Sequence, residues 1–293
     1  TISLKPSQSI ARFHDVITIP KSTIQSIESL QLNKNAKIKN IMLNGKKVTM
    51  DKPNNDLLKL NLSNIKKKST APLELVFDYT LPLQITNKKI EPFFISSADN
   101  FYPRPARNGK NDFRVTFNIK VETPEKLNVV SQGEKLSDFI KNGNRTVIWR
   151  ENKPQEEIIL IADHYQVFTE RHQSISLYAY LHDNDKALAK KYFKATRSYI
   201  DLYSKLIAPY PYKKFALVEN IKQTGYGMPS FTLLGSRIIR FPFILQTSYP
   251  HEVLHNWFGN GVYIRPDSGN WAEGLTTYLA DHLLSEQMGK GGQ

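Results

Sequence analysis

Two histidines four residues apart bracket a glutamate in the stretch HEVLHNWFGN, which holds His251, Glu252 and His255. On a helix, residues four apart lie one turn apart on the same face. The two imidazoles can therefore converge on one cation. Zinc accepts two imidazoles and a carboxylate and keeps a fourth position for water. Glu252 is rotated about 100° from His251 around the axis, so it cannot easily ligate the same ion. It can reach the water and take its proton, which is the task of a general base.

The plainer reading is a helix whose histidines are solvated or hydrogen-bonded. Glu273 weighs against it. A segment rich in Pro, Asp, Ser and Gly (Tyr263 to Asn270) separates it from His255, and it opens a new amphipathic pattern of Leu275, Tyr278, Leu279 and Leu283. A second helix with a carboxylate near its start supplies the missing third ligand. The expectation is one Zn2+ per chain, held by His251, His255 and Glu273.

The elements that must position these residues are legible in the periods of the chain. Thr247 or Ser248 can cap the histidine helix, and Pro250 is tolerated in its first turn. Helices are expected around 248–259 and 273–288. Upstream, Leu188, Tyr192, Ala195, Tyr199, Tyr203 and Leu206 mark one face of a helix from Asp185 to Leu206, with Lys186, Lys190, Lys191 and Lys194 on the other. Pro209 and Pro211 stop it. Lys213 to Glu219 reads as a strand, and Ile238 to Leu245 is short and apolar.

The first part of the chain alternates instead. Phe113 to Val121, the series Leu73, Leu75, Phe77, Tyr79, Leu81, and the series Leu58, Leu60, Leu62 have period two, the mark of strands with one buried face. Turn signals at Asn44-Gly45, Pro53-Asn54-Asn55, Asn108-Gly109 and Asn142-Gly143 separate such runs, and the pattern continues to about Leu181. The fold class is thus α+β and multidomain, with a β-rich domain over 1–168 and a mixed α/β part over 169–293.

Composition narrows the rest. The chain has 293 residues, 40% of them hydrophobic, and no cysteine. Disulfides, a thiol nucleophile and Cys-ligated zinc are excluded. A Cys-free chain suits an oxidising envelope as well as a cytosol; a periplasmic or cell-envelope location is the one expected. The formal charge of +13 reads as a solvated lysine-rich surface. Lys66-Lys67-Lys68 is the one tight basic run and carries no interleaved aromatic, so nucleic acid is not an expected partner. No apolar run is long enough for a membrane-spanning helix. No secretory signal pattern opens the chain, and the first residue is Thr1, so a removed leader or tag is expected.

H-E-x-x-H-x-W-F-G-N followed by W-x-E-G resembles the gluzincin metallopeptidases of the aminopeptidase N and leukotriene-hydrolase type. The resemblance implies a β-sandwich-like N-terminal domain followed by a thermolysin-like catalytic domain. It implies His251, His255 and Glu273 as zinc ligands, Glu252 as catalytic base, peptide or protein substrates, and a helix that continues through Asn256 to Asn260. The order of the domains agrees along the whole chain, but only residues 247–283 match specifically.

Several positions depart from that pattern. The spacing from His255 to Glu273 is one residue shorter than usual. Where the family has G-A-M-E-N, this chain has Tyr226-Gly227-Met228-Pro229-Ser230. The resemblance keeps Tyr226, Gly227 and Met228 as a strand alongside the peptide, but Pro229 stands where the family's amine-holding glutamate would be. Glu219 is the nearest acid upstream. The segment Phe101 to Arg107 replaces a family stretch rich in acids and reads as a surface connection. The family's oxyanion-stabilising tyrosine falls beyond Gln293, so the catalytic domain is expected to be incomplete at its C-terminal end. The rival to a zinc metallopeptidase is a weak or inactive peptide- or partner-binding module on the same fold. The retained quartet of ligands and base argues for the enzyme.

Overall fold

In the computed structural model, the described residues are all except 55–56, 64–70, 84, 87–88, 91, 108–112, 221–222, 224, 266, 288 and 290–293. The lysine run at 66–68 and the turn expected at Asn108-Gly109 lie outside them. Contacts divide the chain into two compact units: Thr1–Ser131 with Lys135–His164, and Gln132–Glu134 with Tyr165–Gln293. The strand Gln166–His172 runs through the sequence boundary between 168 and 169 and belongs to the second unit. A period-two pattern identifies a strand but not the sheet that it joins.

The first unit is built from strands. An eight-stranded sheet has Ile10–Ile19 paired antiparallel with Leu73–Pro82 at its centre, and the short strand Ile2–Lys5 runs parallel to Val115–Pro124. A four-stranded sheet has Ser29–Asn33 and Leu57–Asn61 at its centre. The alternating residues bury one face: Leu73, Leu75, Phe77 and Tyr79 share a single core with Leu30, Leu32, Leu60, Val121 and Trp149. Burial of that apolar surface, roughly 25 cal/mol per Å2, is the main force that holds the sheets together.

Two sequence expectations shift here. The strand expected from Phe113 begins at Val115. The turn signal Pro53-Asn54-Asn55 falls between the paired strands Asp51–Asn54 and Leu57–Asn61, with Asn55 outside the described residues. Phe101 to Arg107 is not a surface connection: Phe101, Tyr102 and Ala106 are buried, and Arg104–Ala106 pairs with Ser29–Asn33. The hydrogen bond from the Tyr79 hydroxyl to the Phe101 carbonyl (2.7 Å) fixes this segment against the core.

The second unit is a five-stranded sheet with helices. Its order is Gln166–His172, Ile175–Leu181, Lys214–Asn220, Phe231–Gly235 and Gly225–Met228. The three central strands are parallel, and Gly225–Met228 is an antiparallel edge. The central parallel pair requires a crossover, and the helix Lys186–Leu206 supplies it. Asp185 caps this helix by accepting the Leu188 N–H (2.8 Å). Its buried face is Leu188, Ala189, Tyr192, Phe193, Thr196, Ile200 and Tyr203. That face is rotated from the expected one: Ala195 and Tyr199 are only partly buried, and Leu206 is 52% exposed at the helix end. The core continues through Phe215, Leu217, Tyr249, Val253 and Trp257. The apolar run 238–245 becomes two short 3-10 turns, Ile238–Arg240 and Pro242–Gln246. Among the described residues no helix is long and apolar enough to cross a membrane.

Candidate metal centre

The histidine helix spans Ser248–Leu254, with Pro250 in its first turn. No side chain caps its start; the Thr247 hydroxyl donates instead to the Phe243 carbonyl (3.0 Å). The helix does not continue through Asn260 as the resemblance implied. The His255 N–H still bonds the His251 carbonyl (3.3 Å), so the two rings keep their one-turn spacing. Beyond it, Asn256 and Trp257 bond three residues back. The Asn260 N–H then closes on the His255 carbonyl (3.1 Å), with Gly259 at φ +96. A left-handed glycine with a bond of this kind is the usual way a helix is terminated.

The three expected ligands converge. The Nε2 of His251 is 3.0 Å from Glu273 Oε1, and the Nε2 of His255 is 3.5 Å from Glu273 Oε2. One atom from each residue lies within 4.8 Å of the others. Ligands about 2.0–2.1 Å from a tetrahedral zinc stand about 3.3 Å from one another, so two nitrogens, each at such a separation from one oxygen of a shared carboxylate, suit that ion. The ring of His255 is oriented by its other nitrogen, with Nδ1–H directed at the Phe258 carbonyl (3.2 Å). A backbone acceptor of this kind leaves Nε2 free to face a metal.

Glu273 arrives from the helix Trp271–Thr277, whose first turn is held by Asn270. The Asn270 side chain accepts the Glu273 N–H (3.4 Å). The Asn-x-x-Glu spacing is a readable cap signal. The helix begins two residues earlier than expected, and a π-helical turn at Tyr278–His282 follows it. Its buried side is Ala272, Thr276, Ala280 and Leu284, while Leu275 and Tyr278 are 41% and 61% exposed. Of the expected stripe, Leu279 and Leu283 are half-buried and Leu279 packs against the core, while Leu275 and Tyr278 face out.

Glu252 is not among the converging three. Its carboxyl is pushed up to about 7, first by burial and then by the charge of Glu273, while a hydrogen bond from the Gly227 backbone opposes the shift. A cation in the cluster would pull this value back down. Burial also lowers the pKa of His255, and the Phe258 carbonyl and Glu273 oppose that shift.

The edge strand Gly225–Met228 passes directly beside this helix. A Cβ at Gly225 would stand 2.9 Å from Glu252 Oε1. The Gly227 carbonyl accepts the Asn260 side chain (3.0 Å), and the Tyr226 carbonyl accepts the Thr232 hydroxyl (3.0 Å). Gly227 therefore has its carbonyl on Asn260, while its backbone lowers the pKa of Glu252. Asn260 was not singled out from sequence, although glycines at alternate strand positions signal a close neighbour on one face. Pro229 is buried in the turn that follows. Glu219 is committed elsewhere. It accepts from Arg240 (2.6 Å) and from the His182 N–H (2.8 Å). Burial would raise its pKa, but these two donors hold the carboxyl below its usual range.

In comparisons by sequence, no family model and no curated protein matches the chain. In comparisons by structure, the chain superposes on an M1 zinc metallopeptidase from Deinococcus radiodurans with a TM-score of 0.68 at 15% identity. That match covers 99% of this chain and 70% of the other. A mutant of that enzyme bound to a Tyr-Ser-Ala substrate matches with a TM-score of 0.66 at 15% identity, over 98% and 69% of the two chains. Native yeast LTA4 hydrolase matches with 0.62 at 14% identity, over 88% of this chain and 43% of the other. The chain therefore has the mixed α+β, strand-rich fold of the M1 zinc metallopeptidases over nearly its whole length.

Proposed function

We propose that this chain is a zinc-dependent metallopeptidase that hydrolyses peptide bonds. The carrying observation is the convergence of His251, His255 and Glu273, with Glu252 one residue from the first of them. The shared fold with zinc metallopeptidases supports it. On this reading, the first unit is the β-sandwich-like domain expected over 1–168 and the second is the thermolysin-like part expected over 169–293, with the strand Gln166–His172 in the second.

His251, His255 and Glu273 would hold the zinc. When bound, zinc lowers the pKa of water and polarises a carbonyl. Glu252 takes a proton from the attacking water and returns it to the leaving amine. It is not one of the three converging ligands, which leaves it free for this work. The edge strand Gly225–Met228, with its exposed Tyr226 side chain, would lie alongside an extended peptide substrate.

Elemental analysis and a peptide assay test the proposal together. Protein purified without added metal is expected to carry about one zinc per chain and to cleave a mixed peptide library. Less than a tenth of an equivalent, not restored by dialysis against zinc, rejects the metal centre. Full zinc without any cleavage leaves a peptide-binding module on the same fold.

A further inference from the structure

Behind the edge strand lies a buried polar cluster that the proposed chemistry does not use. Lys214 is 1% exposed, yet its ammonium is inside the core of the second unit. It donates to the carbonyl of Ser230 (3.1 Å) and to its hydroxyl (2.9 Å), and it lies over the Phe231 ring. Ser230 is fully buried and holds φ +69, a left-handed conformation that a side chain seldom adopts. Its hydroxyl also accepts the Gly133 N–H (3.0 Å), and its own N–H donates to Asn256 Oδ1 (2.8 Å). Asn256 is fully buried and directly follows His255. Its amide donates to the Val253 carbonyl (2.9 Å) inside the histidine helix, and the Tyr210 hydroxyl joins Asn256 to the Lys214 carbonyl.

A lysine 2.9 Å from a serine hydroxyl invites comparison with a nucleophilic pair. Ser230 has no exposed surface, so no substrate reaches it. The cluster has a different consequence. Ser230 is the last residue of the turn that closes the edge strand on Phe231–Gly235, through the pair Met228 and Phe231. Fixing Ser230 to Asn256 therefore fixes the edge strand to the residue that follows a proposed ligand. A buried charge is costly unless its hydrogen bonds are made, so the ammonium pins the turn in its strained conformation.

We infer that Lys214, Ser230 and Asn256 are positioning residues that lock the edge strand Gly225–Met228 in register with the His251/His255 helix. The kinetic consequence rests on the metallopeptidase reading; the structural consequence does not. Loosening this lock lets the strand drift from Glu252 and His255 without removing a ligand.

The test uses the full chain with Lys214→Met, Ser230→Ala and the double variant. Amide hydrogen exchange across 225–231 is expected to rise by about tenfold or more in each single variant, while 175–181 stays protected as in the wild type. Both variants remove the bond between Lys214 and the Ser230 hydroxyl, so the double variant is expected to fall short of the sum of the two. Zinc content is expected to stay at the wild-type level. With peptide substrate, kcat falls by about tenfold to a hundredfold and KM changes less than about threefold. Unchanged exchange over 225–231 overturns the inference, as does an equal rise over 175–181, which marks a plain loss of core stability. If Lys214→Met does not fold, Ser230→Ala, which removes one oxygen, decides alone. A wild type that cleaves nothing defeats the metallopeptidase reading and leaves the exchange result to decide this one.

Discussion

A Cβ built on Gly227 would stand 2.7 Å from the Cβ of His255 and 2.9 Å from the Glu252 carbonyl oxygen. Those neighbours are a side-chain root and backbone, which cannot swing away. Gly227→Ala is expected to push the edge strand off the histidine helix and to cost about 1–3 kcal/mol of stability. Gly274 is the control. It lies in the helix Trp271–Thr277 with open space around its missing Cβ, so Gly274→Ala should stabilise by about 0.5–1 kcal/mol. Urea denaturation of the two variants measures both signs. Equal effects of the same sign would contradict the close approach.

Glu252→Gln separates base from ligand. It removes the proton acceptor and leaves His251, His255 and Glu273 intact. Zinc content should stay at the wild-type level while hydrolysis falls by about 10²–10⁴-fold. His255→Ala should lose both. Wild-type hydrolysis by Glu252→Gln would mean that another group takes the proton.

Glu219 sets an expected acid limb for stability. Its carboxyl is held below the usual glutamate range in the folded state, because Arg240 and the His182 N–H outweigh burial. A depressed folded pKa contributes stability that is present above the unfolded pKa and is lost as pH falls through the folded one. Glu219→Gln should therefore cost about 1–3 kcal/mol near neutral pH. Its deficit relative to wild type should shrink below about pH 4, where the unfolded carboxyl protonates. Denaturation midpoints across that range give the answer; a deficit that is constant with pH would show that the charge is not what matters.

The substrate amine gives the fourth prediction. Pro229 is buried in the turn and offers neither charge nor N–H, and Glu219 is already engaged by Arg240. Neither can receive an ammonium. Acetylated and free forms of one fluorogenic peptide should differ by less than about tenfold in kcat/KM, or about 1.4 kcal/mol. A hundredfold preference for the free form would point to a different carboxylate as the anchor.

The convergence of His251, His255 and Glu273 was legible because it follows from local spacing: four residues along a helix set two rings on one face, and a carboxylate opens the next helix. The strand periods of 73–81 and the long helix before Pro209 were legible for the same reason. Each is a repeat over a few residues that backbone geometry turns into a face, although the long helix buries a face rotated from the expected one.

The errors have the opposite character. The helix after Glu273 buries Ala272, Thr276 and Ala280 rather than Leu275 and Tyr278, because the available space is set by the neighbouring helix and not by side-chain size. Phe101 and Tyr102 looked like a connection and are core, because Tyr79, distant in sequence, holds them. The histidine helix stops at Leu254 because Asn260 returns to the His255 carbonyl around Gly259.

By itself, then, the sequence determined the fold class, the alternation of strands and helices, and which three residues, His251, His255 and Glu273, could meet as ligands. Only the tertiary structure decided that Glu273 meets both histidines, that Gly225 and Gly227 press against their helix, and that Glu219 is occupied by Arg240. It also decided that Lys214 and Asn256 share Ser230. Each of these contacts joins residues far apart in the chain, and their meeting depends on how sheet and helices pack into one core. A short-range pattern carries no information about that.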